Sequence, residues 1–262
     1  MRREKVGIIG YGKMGHLLAE QFAEDHDINI YSEEKLNTRH NKYGTIKSLY
    51  IDSKYIVIAV PSKEIENILK NLSNIDVEDT KTIFDISTFK NDFIDIYKMF
   101  PDNVKIASAH PMFGEGIESI EDEKVVIIPV NGREDDSDHV EEFFRQLGAN
   151  TVKIDADEHD EMMKITIGIP YFLGMSYLNM VSKTDDIDMF GGTSFEYLTT
   201  YGKAVLNDSP EFIEEVIDHS RDKIEEFLEE AKSGKVDIER LKEKYEDEIE
   251  ESYTDFYRVM GC

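Results

Sequence analysis

Cysteine is almost missing from this 262-residue sequence, and the one present, Cys262, stands at the last position. A lone thiol excludes a framework of internal disulfides and a cysteine-based metal site, and it points to a reducing, cytoplasmic setting. Basic residues are scarce as well. Lysine and arginine number 30 against 56 aspartates and glutamates, a formal charge of -26, so most of the surface would repel nucleic acid and anionic membranes. Much of the acidity falls in the last third, in runs such as Glu225-Glu226 and Glu246-Asp247-Glu248. It reads as a solvated face, with adaptation to high salt as the alternative.

Long apolar runs are also few. Residues 165–182 carry no charge and approach the length of a membrane-spanning helix. The run includes Thr166, Gly168, Pro170, Tyr171, Ser176, Tyr177 and Asn179 between acidic flanks, which suits a helix buried between protein layers. The start, Met1-Arg2-Arg3-Glu4-Lys5, leads into a short apolar segment with no small-residue cleavage site, unlike a secretory leader. No internal repeat or low-complexity linker interrupts the chain.

What is present is 40% apolar residues, enough for one large core or two modest ones. Val6-Gly7-Ile8-Ile9 reads as a strand ending at Gly10-Tyr11-Gly12-Lys13-Met14-Gly15, after which Leu17, Leu18, Phe22 and Ala23 recur at helical spacing. Residues 28–31 supply a second strand. Strand, glycine turn, helix and strand make a dinucleotide-binding βαβ unit: the first glycine permits the turn, the second admits a pyrophosphate, and the third lets helix pack on strand. The helix start then offers free N–H groups to the phosphates. At the end of the second strand, Ser32 with Lys35 and Arg39 would hold the 2′-phosphate of NADP, whereas Glu33 and Glu34 would serve the ribose of NAD.

Residues 55–60 form an apolar strand closed by Val60-Pro61, followed by a helical stripe of Ile65, Ile68, Leu69 and Leu72. Residues 82–86 give another strand, ending in Asp85-Ile86-Ser87-Thr88-Phe89-Lys90. This puts hydroxyls and an ammonium at the C-terminal edge of a parallel sheet, where ligands of such sheets bind, though Ser87 and Thr88 also suit a helix cap. Residues 104–109 form a further strand that delivers His110 to that edge; bottom-up, such a histidine is structural as often as catalytic. Strands at 125–130 and 151–154 with a helix at 137–147 extend the alternation to about residue 155. From Asp157 onward only helical patterns follow, at 157–182, 194–206, 210–232 and 237–257. The expectation is an α/β chain: a Rossmann-like doubly wound domain over residues 1–155, then an all-α domain over 156–262 for substrate and dimerisation.

With Gly10-Tyr11-Gly12-Lys13-Met14-Gly15, Val60-Pro61, Asp85 through Lys90, the Ala109-His110-Pro111-Met112-Phe113-Gly114 segment, and Glu158-His159-Asp160 before Gly168-Ile169-Pro170-Tyr171, the sequence resembles the prephenate/arogenate dehydrogenase family, its archaeal-type members included. The likeness covers residues 5–220. It implies oxidative decarboxylation: hydride passes from the ring carbon bearing the 4-hydroxyl to NAD or NADP, carbon dioxide leaves, and the ring becomes aromatic. In that scheme His110 takes the hydroxyl proton, Thr88 bonds the same hydroxyl or His110, and Lys90 orients the turn or biases the local field. His159 and Tyr171 would face substrate, with helix capping or packing as the other role of His159.

The pattern departs from the family in two places. Tyr171, and in many members Gly168, stands where a histidine is usual, and no arginine follows Pro210, where bacterial members grip a carboxylate. Lys164, Lys203 and Arg221 are the cations left for that task. These departures keep open a related dehydrogenase for another hydroxy acid or amine-bearing substrate, and a non-catalytic NAD(P)-binding regulator. The acidic residues around His159 read as answering a helix dipole, and no second histidine stands at ligand spacing, so no metal is expected. The expected partners are a small-molecule substrate and a second copy of the chain.

Overall fold

The computed structural model describes residues 3–259. Met1 and Arg2, from the segment read as unlike a leader, and Met260, Gly261 and Cys262 lie outside that range. The chain divides into two compact units, Met1–Glu161 and Met162–Cys262.

The first unit is built on six parallel strands: β1 (Lys5–Ile9), β2 (Asp27–Tyr31), β3 (Asn41–Lys42), β4 (Tyr55–Ile58), β5 (Lys81–Asp85) and β6 (Val104–Ile106). Their order is β3-β2-β1-β4-β5-β6, which reverses direction of growth between β1 and β4. Strand side chains alternate between two cores, as the two-residue period of a strand requires. Val6, Ile8, Ile28, Ile30, Val57 and Phe84 face one core, with Leu18, Ala19 and Phe22 of α1 (Lys13–Phe22). Ile9, Ile56, Ile58 and Ile83 face the other, with Leu49 and Tyr50 of α2 (Ile46–Asp52) and Ile65, Leu69 and Leu72 of α3 (Ser62–Ser73). Sequence periodicity had pointed to neither β3 nor α2. The first core is completed by Val140, Phe143 and Phe144 of α4 (Ser137–Gln146).

One expected strand proves to be two. Residues 104–109 do not run on along the parallel sheet: β6 ends at Ile106, and β7 (Ser108–Pro111) belongs to a second sheet. There it pairs antiparallel with β8 (Lys124–Ile128), which pairs parallel with β9 (Asn150–Lys153). A run of apolar residues gives the length of a strand stretch but not its partner, so the change of sheet at Ala107 left no trace in the pattern. His110 therefore lies inside a strand, opposite Val126, and not beyond a strand end.

After β9 comes α5 (Ala156–Met163), inside which the first unit ends. The sequence had put the boundary at 155/156; the six further residues belong with the sheets because His159 and Asp160 bond to residues of that unit, as described below. The second unit opens on a π-helical turn, Lys164–Gly168, and continues as α6 (Ile169–Val181) and α7 (Thr193–Val205). Pro170 has no N–H to give the preceding turn, which accounts for the widened helix just before it. α6 and α7 meet where Gly174 and Gly202 leave no room for a Cβ.

The stretch expected as one helix over 210–232 is α8 (Pro210–His219) and α9 (Arg221–Ser233). The break falls at Ser220, whose hydroxyl donates to the Val216 carbonyl and packs on Gly168. Residues 237–257 likewise split into α10 (Ile238–Lys244) and α11 (Ile249–Val259). The expectation of a buried helix over 165–182 is corrected: Ile165, Leu173 and Met180 stand exposed. Among the described residues no helix is long and apolar enough to cross a membrane.

Candidate active site

Three segments leave the parallel sheet at one level. Ile9, Ile58 and Asp85 are in register on β1, β4 and β5, so the turns that follow them emerge side by side at the carboxyl edge. This is the point where the strand order reverses, where open α/β sheets bind ligands.

The first turn is the glycine loop. Gly10 has φ +96°, and a Cβ there would strike the Ala59 carbonyl at 2.2 Å, so only glycine fits. A Cβ on Gly15 would lie 2.4 Å from the Gly10 carbonyl, which sets how closely α1 packs on β1. Gly12 faces open space and caps α1 without a side-chain bond, which leaves the N-terminal end of the helix open on that side. Such a cradle fits a dinucleotide pyrophosphate at a helix N-terminus. A cavity of about 530 Å³ beside it is lined by Tyr11, Gly12, Lys13, His16, Glu20 and Glu115. Tyr11 donates to or accepts from Thr38 Oγ1 at 3.0 Å, and Lys13 pairs with Glu115 at 3.0 Å. Met14 is half-buried at the start of α1, and Val60 and Pro61 follow β4 as a half-buried and an exposed residue.

In the loop after β2, the Ser32 hydroxyl accepts from the Glu34 N–H at 3.2 Å. Arg39 is engaged by Glu20 at 2.6 Å, and the other oxygen of Glu20 meets His40 at 2.8 Å. Of the cations proposed for a 2′-phosphate, Arg39 is thus already paired with a carboxylate.

The third turn carries the densest chemistry. Lys90 is fully buried, and its ammonium donates to the Ala109 carbonyl at 2.8 Å, the Ser87 carbonyl at 2.5 Å and Asp85 Oδ2 at 3.2 Å. Tyr97 donates to the second oxygen of Asp85 at 2.9 Å. Ser87 does not cap a helix; its hydroxyl and N–H both donate to Asp85 Oδ2. Thr88 is buried on the same turn. Lys90 therefore ties the end of β5 to the strand that bears His110. Burial pushes the Lys90 ammonium below its usual range, with Asp85 opposing.

His110 is 6% exposed. Its Nδ1 lies 3.0 Å from Nε2 of His159, and Nδ1 of His159 lies 2.9 Å from Asp160 Oδ1. The Asp160 carboxylate also accepts the backbone N–H groups of Lys90, at 3.0 and 3.1 Å, and Asn91, at 2.9 Å. Burial, then the positive charge of Lys90 and the neighbouring His159, hold the His110 imidazole well below the usual histidine range, so it is neutral at pH 7. Burial pushes the Asp160 carboxyl up, but the bonds from His159, Asn91 and Lys90 together outweigh it and the carboxyl lies low.

His159 is thus brought to His110, with both ring nitrogens engaged, and is 1% exposed. The structure makes it a neighbour of His110, where the sequence had offered it to substrate or to helix capping and packing. Asp160 was read as answering a helix dipole; it instead anchors the Lys90 turn, while Asp155 accepts the Glu158 N–H at the start of α5. Adjacent His and Asp in one helical turn were the signal available for this pair.

In the helical unit, Tyr171 donates to Asp208 at 2.6 Å and sets its ring edge against Phe212. Burial, with Asp208, raises its phenol above the usual range. Of the three cations considered for a substrate carboxylate, Lys164 pairs with Asp222 at 3.0 Å and Arg221 with Asp218 at 2.6 Å. Lys203 is exposed on α7. Among the described residues no group of histidine, cysteine and carboxylates is arranged to hold a metal ion.

Residues 24–153 match the family model described as prephenate dehydrogenase, nucleotide-binding domain. No curated protein sequence matches the chain. Among solved structures, the prephenate dehydrogenase of Aquifex aeolicus, in complex with hydroxyphenyl propionate and NAD+, is similar with a TM-score of 0.70 at 16% identity, covering 100% of this chain and 97% of the other. An arogenate dehydrogenase from Synechocystis gives 0.66 at 14% identity, over 98% and 96%. A pyrroline carboxylate reductase of Plasmodium falciparum with NADP bound gives 0.51 at 18% identity, over 100% and 94%. At these identities the likeness is one of fold.

Proposed function

The chain belongs to the prephenate dehydrogenase family, and from that premise we propose that it catalyses NAD(P)-dependent oxidative decarboxylation of prephenate or arogenate, a step of tyrosine biosynthesis. The observation that carries this reading is His110: a buried imidazole, held neutral, on the strand that Lys90 ties to the carboxyl edge of the sheet. A base for a hydroxyl proton must be unprotonated at working pH and shielded from water, and His110 meets both conditions.

A nicotinamide bound in the glycine cradle supplies the hydride acceptor. NADP is supported by Ser32 and Lys35, and NAD by Glu33 and Glu34. The chain's own contribution is the proton. As hydride leaves the carbinol carbon, His110 takes the hydroxyl proton and a carbonyl forms; loss of carbon dioxide then drives an electron pair through the ring to that oxygen, which regains a proton as the phenol. Thr88 and Lys90, on the turn beside His110, support orientation of the hydroxyl and of the local field. We further assign self-association to the helical unit, where Met180, Met189, Phe190 and Leu206 are exposed.

A second reading, a dehydrogenase of the same build acting on another hydroxy acid or an amine-bearing substrate, is favoured by Tyr171 and by the pairing of Lys164 and Arg221 with carboxylates. One experiment separates the two: absorbance at 340 nm with prephenate, arogenate and a panel of other hydroxy acids and amines, each with NAD and NADP. Turnover of prephenate or arogenate, reduced about 1000-fold in His110→Asn, is the expected result. Turnover confined to other members of the panel would overturn the substrate, and unchanged kcat in His110→Asn would overturn the base.

A further inference from the structure

His110 cannot serve as a proton acceptor in either of its neutral forms equally. One ring nitrogen carries hydrogen and the other a lone pair, and the neighbours decide which. Asp160 settles the first choice. It accepts two backbone N–H groups from Lys90 and Asn91, and a carboxylate so placed accepts only, so Nδ1 of His159 must be the donor toward it. A neutral His159 then has its lone pair on Nε2. That atom faces Nδ1 of His110 at 3.0 Å, so His110 must donate from Nδ1, and its own lone pair falls on Nε2. Among the described residues Nε2 of His110 has no hydrogen-bond partner.

We propose that His159 and Asp160 are positioning residues that fix His110 as the Nδ1–H tautomer and so make its Nε2 the proton acceptor. The proposal deepens the functional reading above and rests on His110 being its base. The same chain of bonds acts again after proton transfer. When Nε2 gains a proton the His110 ring becomes a cation, and its Nδ1–H then points through His159 toward the Asp160 charge. The stabilisation falls on the state formed during reaction, so the relay should act on kcat more than on KM. The geometry is held from both sides. Asp160 is fixed by the backbone of the turn that Lys90 pins to Ala109, next to His110 in β7, so relay and base share one frame.

The tautomer can be read without substrate. The test is ¹⁵N NMR of the full chain labelled at histidine, near neutral pH, with the seven histidines sorted by comparison with His110→Asn and His159→Gln. Protonated and unprotonated ring nitrogens have well-separated shifts. The expected pattern is a protonated Nδ1 and an unprotonated Nε2 on both His110 and His159. A protonated Nε2 on neutral His110, or a doubly protonated His159, overturns the proposal. In the kinetic arm His159→Phe should lower kcat about 100-fold with KM changed less than about threefold, and His159→Gln, whose amide can accept from one side and donate to the other, should recover at least tenfold of the loss. Unchanged kcat in His159→Phe, or a loss that Gln does not relieve, also overturns it. Should His110→Asn retain full turnover, it is the functional reading that fails, and the NMR result still judges the tautomer on its own.

Discussion

At the scale of single residues, the burial of His110 makes a prediction about stability that needs no knowledge of substrate. Its folded pKa lies well below the ordinary value of 6.5, so between the two values the unfolded chain binds a proton that the folded chain refuses. Stability attributable to this group is complete above pH 6.5 and falls as pH drops below it, with a slope approaching about 1.4 kcal/mol per pH unit. His26, lowered mainly by burial, works in the same window and the same direction. Asp160 adds a loss only at lower pH, because its depressed carboxyl keeps its contribution until pH falls through the carboxylate range. Urea unfolding of wild type and His110→Asn between pH 7.5 and 5 should give a shallower decline for the variant, by close to one proton. Parallel curves would contradict a neutral buried His110.

At the scale of elements, what could be read in the sequence was what is local. The glycine turn, the strand ends at Ile58 and Asp85, and the His110 segment are each encoded within a few neighbouring residues; the structure brings the first three to one edge, and Lys90 ties the separate strand that bears His110 to it. The bonds that give His110 its surroundings join residues 49 and 70 positions apart, His110 to His159 and Lys90 to Asp160, and no spacing rule reaches that far. The same holds for the second sheet, since the partner of β7 is chosen by β8 and not by the apolar residues of β7 itself. The packing of α1 on β1 is a local feature that can be tested directly. Gly15→Ala places a methyl against the Gly10 carbonyl and must push the helix off the strand. The expected cost is about 1–3 kcal/mol of stability, with at least a tenfold loss of affinity for NAD or NADP by titration calorimetry. Gly12→Ala, whose Cβ meets nothing in the protein, should leave stability within about 1 kcal/mol while still weakening the dinucleotide. Equal behaviour of the two variants in both assays would remove the distinction drawn here between packing and binding.

At the scale of the whole molecule, charge and apolar surface pull in opposite directions. Each chain carries -26, so two copies repel, while Met189 and Phe190 are 80% and 85% exposed on the helical unit and lose free energy in water. Screening should decide the balance, because salt shortens the reach of the repulsion and leaves the apolar term in place. Sedimentation velocity is expected to show twice the chain mass at about 0.3 M NaCl and a growing share of single chains as salt is lowered toward about 0.01 M. Phe190→Asp should shift the balance to single chains at every salt concentration. A mass independent of both salt and this substitution would rule out the self-association assigned to the helical unit.

The glycine turn, the Lys90 anchor, His110, His159 and Asp160 all precede Met162, within one compact unit, while Gly168, Tyr171 and the paired Lys164 and Arg221 all follow it. The parts that would move a proton and hold a nucleotide can thus be inherited as a block. On the proposed reading, substitutions in the helices would alter what is recognised and leave in place the residues that transform it.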